Sequence, residues 1–362
     1  MQKGQKELDL LDEFERFIRD CRRGRRMQPG GKRLSPGTVA NYGYTLQHLQ
    51  MFSKKKSLRL RIKPAKRLNS RELSCERNYW KKFYSGFTSY LYEDCGCYDN
   101  YVGQHIKNIK TFFNYLGKER PYCAVDFHNE FYVPREEIAI YPLMPDELNF
   151  LVTGHEFELG LSRIMQEVKD FFVFGCTVAL RFSDLNALRK TNIRIVSGQY
   201  YLYVRSQKSG LDTLMKLPSY AVNITKKYEM LQGRLLPFFN LSVFNKHLKV
   251  LLEMAGFTHP VSITRNRRGR PMDKKISITG CSSRLCDLAS SHMMRRTAIT
   301  TMLSLGVSEQ IVRKISGHTP GSRDFYRYVF WSQTVQDSQT EQMFASLPGV
   351  RSTVPGWEVR LG

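Results

Sequence analysis

The sequence is 362 residues long and carries 56 lysines and arginines against 33 aspartates and glutamates, a formal net charge of +23. That length can bury more than one core, and an excess of positive charge spread along the chain is the footprint of a polyanion binder, nucleic acid first. No apolar run approaches the roughly 18 residues of a membrane span, no amphipathic basic helix or lipidation motif marks a membrane surface, and the charged start MQKGQKELDLLDEF lacks a secretory apolar core, so the expected location is cytoplasmic, at the nucleoid.

Residues 7–21 place Leu8, Leu10, Leu11, Phe14, Phe17 and Ile18 on one stripe of a predicted helix. RRGRRMQPGGKR then reads as a basic loop able to follow a phosphate backbone, or as a solvated one. Ser35 is an expected N-cap with Pro36 at the first helical position of a second helix carrying Leu46, Leu49 and Phe52. In KKKSLRLRIKPAKR, Leu58, Leu60 and Ile62 alternate with charge as a short strand would. Helical patterns follow over 76–92 and 101–116, separated by EDCGCYDN. Cys95 and Cys97 lack the two-residue gap and second ligand pair of a structural zinc site, and all eight cysteines, in a chain without an export signal, read as reduced thiols.

Residues 1–118 are therefore expected to form a helical unit, 119–142 a proline-marked linker, 143–335 a second unit and 336–362 a tail large enough to dock on a neighbour. If both units grip DNA, such a linker would let them close around the duplex. In the second unit, Pro145-Asp146-Glu147 starts a helix. A strongly apolar helix over 168–180 ends on Arg181, a charge that needs an anionic partner, either Asp184 as a salt bridge or a ligand that Asp184 helps Arg181 to meet. The runs 200–204 and 214–218 flank SQKSGLDT as a hairpin with Lys208 near its tip, and 221–257 read as helices. THPVSITRNRRGRPMDKKIS reads as a basic loop, DNA-facing or solvated.

The densest chemistry lies at 290–329. His292 and Arg295, three apart, project from one face near the start of a helix. Ser308 is an expected N-cap for EQIVRKI, which stops at Gly317 and leaves His318 just beyond the helix end; FYRYV then supplies two phenols, Tyr326 and Tyr328. A set of His, Arg and Tyr with no carboxylate pair or metal-ligand spacing suits an anion such as phosphate, although the same pattern fits a helical hairpin with a solvated basic face.

Taken in order, ALRFSDL, QKSG, HMMR, SGH and FYRYV resemble the active-site motifs of the tyrosine recombinases, the phage-integrase family, and in overall character the integrases of Bacteroidetes mobile elements. The resemblance implies a mainly α fold with a small β-sheet or hairpin: an N-terminal helical, SAM-like core-binding domain, matching LSPGTVANYGYTLQHLQMF and QHIKNIKTFFNYL, and a mixed α/β catalytic domain. It implies a site-specific recombinase that cleaves and rejoins double-stranded DNA through a 3′-phosphotyrosine, with no metal or other cofactor, as a homo-tetramer on paired sites, with accessory DNA-bending or directionality factors as further partners and no membrane. Arg181 and Arg295 would hold the non-bridging oxygens, His318 would add a hydrogen bond, Lys208 would protonate the leaving 5′-oxygen and His292 would assist proton transfer at the nucleophile. The family's Phe-x-x-Tyr ending points to Tyr328 over Tyr326. The loop from His318 to that tyrosine is longer than usual, and the chain begins almost at the core-binding helix, so a separate arm-binding domain is not expected. The rival functions are type IB topoisomerase-like relaxation and a catalytically dead DNA-binding accessory protein.

Overall fold

The computed structural model describes residues 7–28, 30–63, 68–119, 126–205, 212–273, 283–319 and 321–345. In chain order its elements are β1 (Leu8–Asp9), α1 (Leu10–Arg23), α2 (Pro36–Lys55), β2 (Arg61–Ile62), α3 (Ser70–Ser89), α4 (Asp99–Glu119), α5 (Pro145–Thr153), α6 (His155–Leu159), α7 (Arg163–Val178) and α8 (Phe182–Asn186). There follow β3 (Ile193–Val196), β4 (Gln199–Arg205), β5 (Asp212–Lys216), α9 (Ser219–Lys227), α10 (Leu241–Met254), β6 (Pro260–Val261), β7 (Thr264–Arg267), β8 (Arg270–Asp273) and β9 (Ser283–Arg284). The last three are α11 (Ser291–Ser304), α12 (Glu309–Ser316) and α13 (Arg323–Ala345). Two compact units result, one from Met1–Ile138 with Ile263–Lys274, the other from Ala139–Ser262 with Lys275–Gly362.

In the first unit the helix ends follow from local chemistry. Asp9 Oδ1 accepts from the Leu11 amide at 2.9 Å to start α1, and Ser35 Oγ accepts from the Thr38 amide at 3.2 Å, with Pro36 occupying the first position of α2, where no amide is needed. The alternating Leu58–Ile62 run yields only the two residues of β2, paired with β1. Aromatic rings fill the core: Phe14, Phe17, Phe87 and Phe112 are fully buried where α1, α3 and α4 meet. Glu76, buried in α3, receives both nitrogens of Arg61, at 2.7 and 3.1 Å.

The basic stretch around 264–273 is a hairpin, not a loop, and it belongs to this first unit. Its turn residues Arg268 (φ 54) and Gly269 (φ 72) both take left-handed backbone, the twist a tight two-residue hairpin needs. Their amides donate to the buried Asp99 carboxylate at 2.8 and 2.9 Å, and Arg265 donates to the fully buried Glu136 side chain at 2.7 Å. The Arg265 side chain is thus fixed by a buried carboxylate, while Asp99 holds the backbone of the turn.

In the second unit α7 is the central element. Phe171, Phe172 and Phe174 are fully buried, and the helix packs against α10 and α11. Gly175 is what lets α11 approach: a Cβ there would collide with Met294 Sδ and sit 3.0 Å from Leu185. The strands β3, β4 and β5 form an antiparallel meander in that order, with Tyr203 opposite Leu214. β3 is mostly exposed, and Arg194 interrupts its apolar pattern, which is why the sequence pattern misses it. A second, smaller cluster brings Ala179, Ile299, Val312, Phe325 and Tyr328 together from the end of α7 and from α11, α12 and α13.

Candidate active site

Four backbone decisions build the site. α7 ends at Ala179, which takes a left-handed conformation (φ 55) that costs a non-glycine residue about 1–2 kcal/mol. The chain turns extended at Arg181, which becomes the N-cap residue of α8 and stands half-buried. α11 begins after Ser290 and puts His292 in its first turn, exposed, with Arg295 one turn further on and 3% exposed. α12 stops at the left-handed Gly317 (φ 63), which turns His318 back towards α11.

Arg295 is a buried cation with no carboxylate bonded to it. Its Nη1 donates to the Ala179 carbonyl at 2.8 Å and its Nη2 donates to the Ser316 carbonyl, so two helix C-termini, α7 and α12, receive it. Helix ends present unpaired carbonyls and partial negative charge, so they compensate a buried guanidinium without neutralising it. Desolvation, and then the neighbouring Arg181, push Arg295 down to about 10, opposed by Tyr328 and the buried Asp184. Asp184 thus acts on this site through charge.

His318 Nδ1 lies 2.8 Å from Ser316 Oγ, and that hydroxyl donates its one proton to the Val312 carbonyl at 2.6 Å. Ser316 Oγ must therefore accept, which places the proton on Nδ1 and leaves Nε2 bare, 3.4 Å from Arg295 Nη2. The His318 ring centre is 5.4 Å from Phe325 and 5.9 Å from Tyr328. Both histidines are pushed down to about 4, first by desolvation, then by guanidiniums: Arg296, Arg295, Arg181 and Arg327 for His292, and Arg295, Arg181 and Arg313 for His318. Near neutral pH both are uncharged bases.

The two tyrosines differ sharply. Tyr328 is 5% exposed and faces His318, whereas Tyr326 is 54% exposed and lies under Arg313, whose guanidinium carbon is 5.0 Å from its ring centre. Both sit on α13, a single helix that continues past residue 335 to Ala345.

The structure thus brings Arg181, His292, Arg295, His318 and Tyr328 into one cluster. Lys208 lies outside the described residues, between the ends of β4 and β5. Sequence reasoning missed Arg296, Arg313 and Arg327, which crowd the same cluster, each with one nitrogen (Nε, Nη1 and Nη2 respectively) buried without a hydrogen-bond partner. The doubled arginine of HMMRR and the arginine between the two tyrosines were the available signals. Among the described residues no group of three or more His, Cys, Asp or Glu side chains is placed to hold a metal ion. The donors are guanidinium and imidazole, under-neutralised and gathered at one point, which suits an oxyanion.

Neither a protein-family model nor a curated protein matches the sequence. Solved structures do. A complex of XerH site-specific recombinase with palindromic difH substrate aligns over 92% of this chain and 84% of its own, at 13% identity and a TM-score of 0.57. A lambda integrase dimer bound to a COC′ core site aligns over 89% of this chain and 95% of its own, at 12% identity and 0.54. The chain has the tyrosine-recombinase fold. The Tn1549 transposon integrase in complex with circular-intermediate DNA is similar over 91% of this chain and 99% of its own, at 13% identity and 0.53. All three align across both units of the tyrosine-recombinase fold, and at this identity the likeness speaks to fold.

Proposed function

We propose that this protein is a site-specific DNA recombinase that cuts and rejoins strands through a covalent 3′-phosphotyrosine. One observation carries the reading: a buried Arg295, with Arg181, His292 and His318, gathers around one sheltered phenol, Tyr328, in a chain with the recombinase fold.

In the proposed reaction the Tyr328 oxygen attacks the scissile phosphorus. Arg181 and Arg295 hold the non-bridging oxygens, and their charge, undiminished by bonded carboxylates, stabilises the crowded anionic transition state. His292, a neutral base near pH 7, takes the phenol proton. The P–O5′ bond breaks, and Lys208 protonates the departing 5′-oxygen. Attack by a 5′-hydroxyl of a partner strand reverses the step and completes exchange. His318 adds a hydrogen bond to a non-bridging oxygen; with its Nδ1 proton committed to Ser316, that bond requires Nε2 to gain a proton when the phosphate arrives.

The first unit, Met1–Ile138 with Ile263–Lys274, serves as the core-binding half and the second, Ala139–Ser262 with Lys275–Gly362, as the catalytic half, with the segment 336–362 docking on a neighbouring subunit. A lambda integrase tetramer bound to a Holliday junction is similar to this chain at a TM-score of 0.54, and supports assembly as a homo-tetramer on paired sites. Double-stranded DNA in the cytoplasm is the proposed substrate; no described helix is long and apolar enough to cross a membrane. The test is to incubate the protein with sheared DNA of its source genome, denature, and assay protein-linked DNA. Adducts in wild type and none in Tyr328→Phe support the reading; wild type that binds DNA without forming adducts sinks it.

A further inference from the structure

We propose that Cys95 is a modification site for peroxides: His48 takes its proton, the thiolate is oxidised to a sulfenic acid, and Cys97 closes that acid to a disulfide. All three residues lie in the first unit, and this chemistry is independent of strand transfer.

The placement comes from the way α3 ends. The helix runs into one wide turn, Tyr90–Asp94, after which the Cys95 amide donates to the Tyr90 carbonyl at 3.1 Å and the Cys97 amide to the Leu91 carbonyl at 3.0 Å. Between the two cysteines Gly96 is left-handed (φ 66), a conformation that favours the residue without a Cβ. Cys95 is left exposed and Cys97 half-buried, and the Cys97 thiol lies 3.8 Å from the Cys95 carbonyl oxygen. Arg267 stands beside this triplet: its Nη2 would lie 3.4 Å from a Cβ on Gly96, and its Nε is buried without a hydrogen-bond partner. An exposed thiol in an electropositive setting is the kind that reacts.

His48, on α2, supplies the base. Its Nδ1 lies 4.0 Å from Cys95 Sγ and its Nε2 lies 3.2 Å from the Tyr101 hydroxyl, while the ring packs edge-on against His105, centres 4.7 Å apart. With its proton on Nε2, His48 donates to the Tyr101 oxygen and offers a bare Nδ1 to the thiol. Burial pushes His48 down, so near neutral pH it is an uncharged base. Cys97 is pushed up to about 11, first by burial and then by Cys95, so it keeps its proton while Cys95 meets the oxidant.

In the first step the Cys95 proton passes to His48 Nδ1, a sulfur electron pair forms an S–O bond with hydrogen peroxide, and the O–O bond breaks. The departing hydroxide takes the proton back from the imidazolium and leaves as water. In the second step the Cys97 sulfur attacks the Cys95 sulfur, the S–S bond forms, the S–O bond breaks, and hydroxide leaves with the Cys97 proton as a second water. Two thiols are oxidised to one disulfide, and one peroxide is reduced to two waters.

Cys75 is the internal control, because it is exposed on α3 and makes no hydrogen bond to a histidine among the described residues. The full chain, as wild type, H48Q and C97S, would be exposed to dilute hydrogen peroxide, and each cysteine peptide followed by mass spectrometry, with thermal melting alongside. In wild type Cys95 is expected to lose its thiol at least about tenfold faster than Cys75 and to end linked to Cys97. H48Q should bring Cys95 to the rate of Cys75, and C97S should stop Cys95 at a sulfenic acid that dimedone captures. Should H48Q melt early, the ratio of Cys95 to Cys75 in wild type and the trapped acid in C97S carry the test. Equal rates at Cys95 and Cys75, a wild-type rate at Cys95 in H48Q, or oxidised Cys95 that never links to Cys97 overturns the inference.

Discussion

Arg295 donates from Nη1 to the carbonyl of Ala179 at 2.8 Å, and this bond joins the end of the most buried helix of the second unit to the centre of the candidate site. The other side of the same guanidinium meets the Ser316 carbonyl, so one cation closes two helix ends while facing Arg181 and His318. Position and charge are therefore set together.

Replacing Arg295 by Lys should damage both roles. An ammonium cannot span two carbonyls and a bound phosphate in one plane, so R295K is expected to lose adduct formation by about 100-fold or more. A carbonyl left buried and unpaired costs about 1–3 kcal/mol, so denaturant unfolding should show a loss in that range. Wild-type rates in R295K would contradict the assigned geometry.

Ser316→Ala removes the acceptor that fixes the His318 tautomer while leaving the backbone carbonyl bonded to Arg295. The expected effect is a drop of roughly tenfold in adduct formation, the worth of one hydrogen bond of ~1.4 kcal/mol, with DNA affinity unchanged. Comparison with His318→Ala in the same assay checks it: the serine variant should fall between wild type and the histidine variant.

The first unit supplies a pH prediction that does not depend on DNA. His105, 2% exposed and bonded through Nδ1 to Thr45 Oγ1 at 2.8 Å, is pushed down to about 3 by desolvation and then by His48. An unfolded histidine titrates near ~6.5, so below that pH the unfolded chain binds the proton that the folded one refuses. The stabilisation is fully present above about pH 6.5 and is lost as pH falls towards 3, at no more than about 1.4 kcal/mol per pH unit for this group. His292 and His318, pushed down to about 4, act in the same direction over the upper part of that window, less strongly because they are more exposed. Urea unfolding between pH 7 and 4 should show the decline, and His105→Gln should flatten it; an unchanged slope in that variant would assign the effect elsewhere.

Gly175→Ala tests how tightly α11 must lie on α7. The added methyl meets Met294, next to Arg295 on α11, and Leu185. Met294 is flexible enough to yield in part, so the expected loss of stability is about 1–3 kcal/mol, with a fall in adduct formation larger than the fall in DNA affinity. Thermal melting and the adduct assay on one preparation separate the two.

Much of this architecture was readable in advance because it is written in neighbouring residues. Ser35 and Gly317 bound helices through contacts a few positions away, and the His292-x-x-Arg295 spacing needs only helical geometry to put both residues near one target. The hairpin at 264–273 was not readable, because the Arg265 side chain and the amides of its turn find their carboxylates 129 to 170 positions earlier, at Glu136 and Asp99. Nothing local distinguishes such an arginine from a solvated one. The continuation of α13 beyond Tyr328 hides behind a polar composition that a helix tolerates on its exposed face. Arg296 escaped notice for a third reason: whether it joins the cluster depends on which face of α11 meets α13, and that is decided by packing.

The central claim is that Tyr328 forms a covalent bond to DNA, and the most direct measurement identifies the linked residue. Protein trapped on sheared genomic DNA would be digested with nuclease and protease, and the nucleotide-bearing peptide sequenced by mass spectrometry. The account predicts a nucleotide 3′-phosphate on Tyr328, with Tyr326 unmodified. A nucleotide on Tyr326 would move the nucleophile to the exposed face of α13 and contradict the pairing of Tyr328 with His318. DNA binding without any linked nucleotide would contradict the strand-transfer account as a whole.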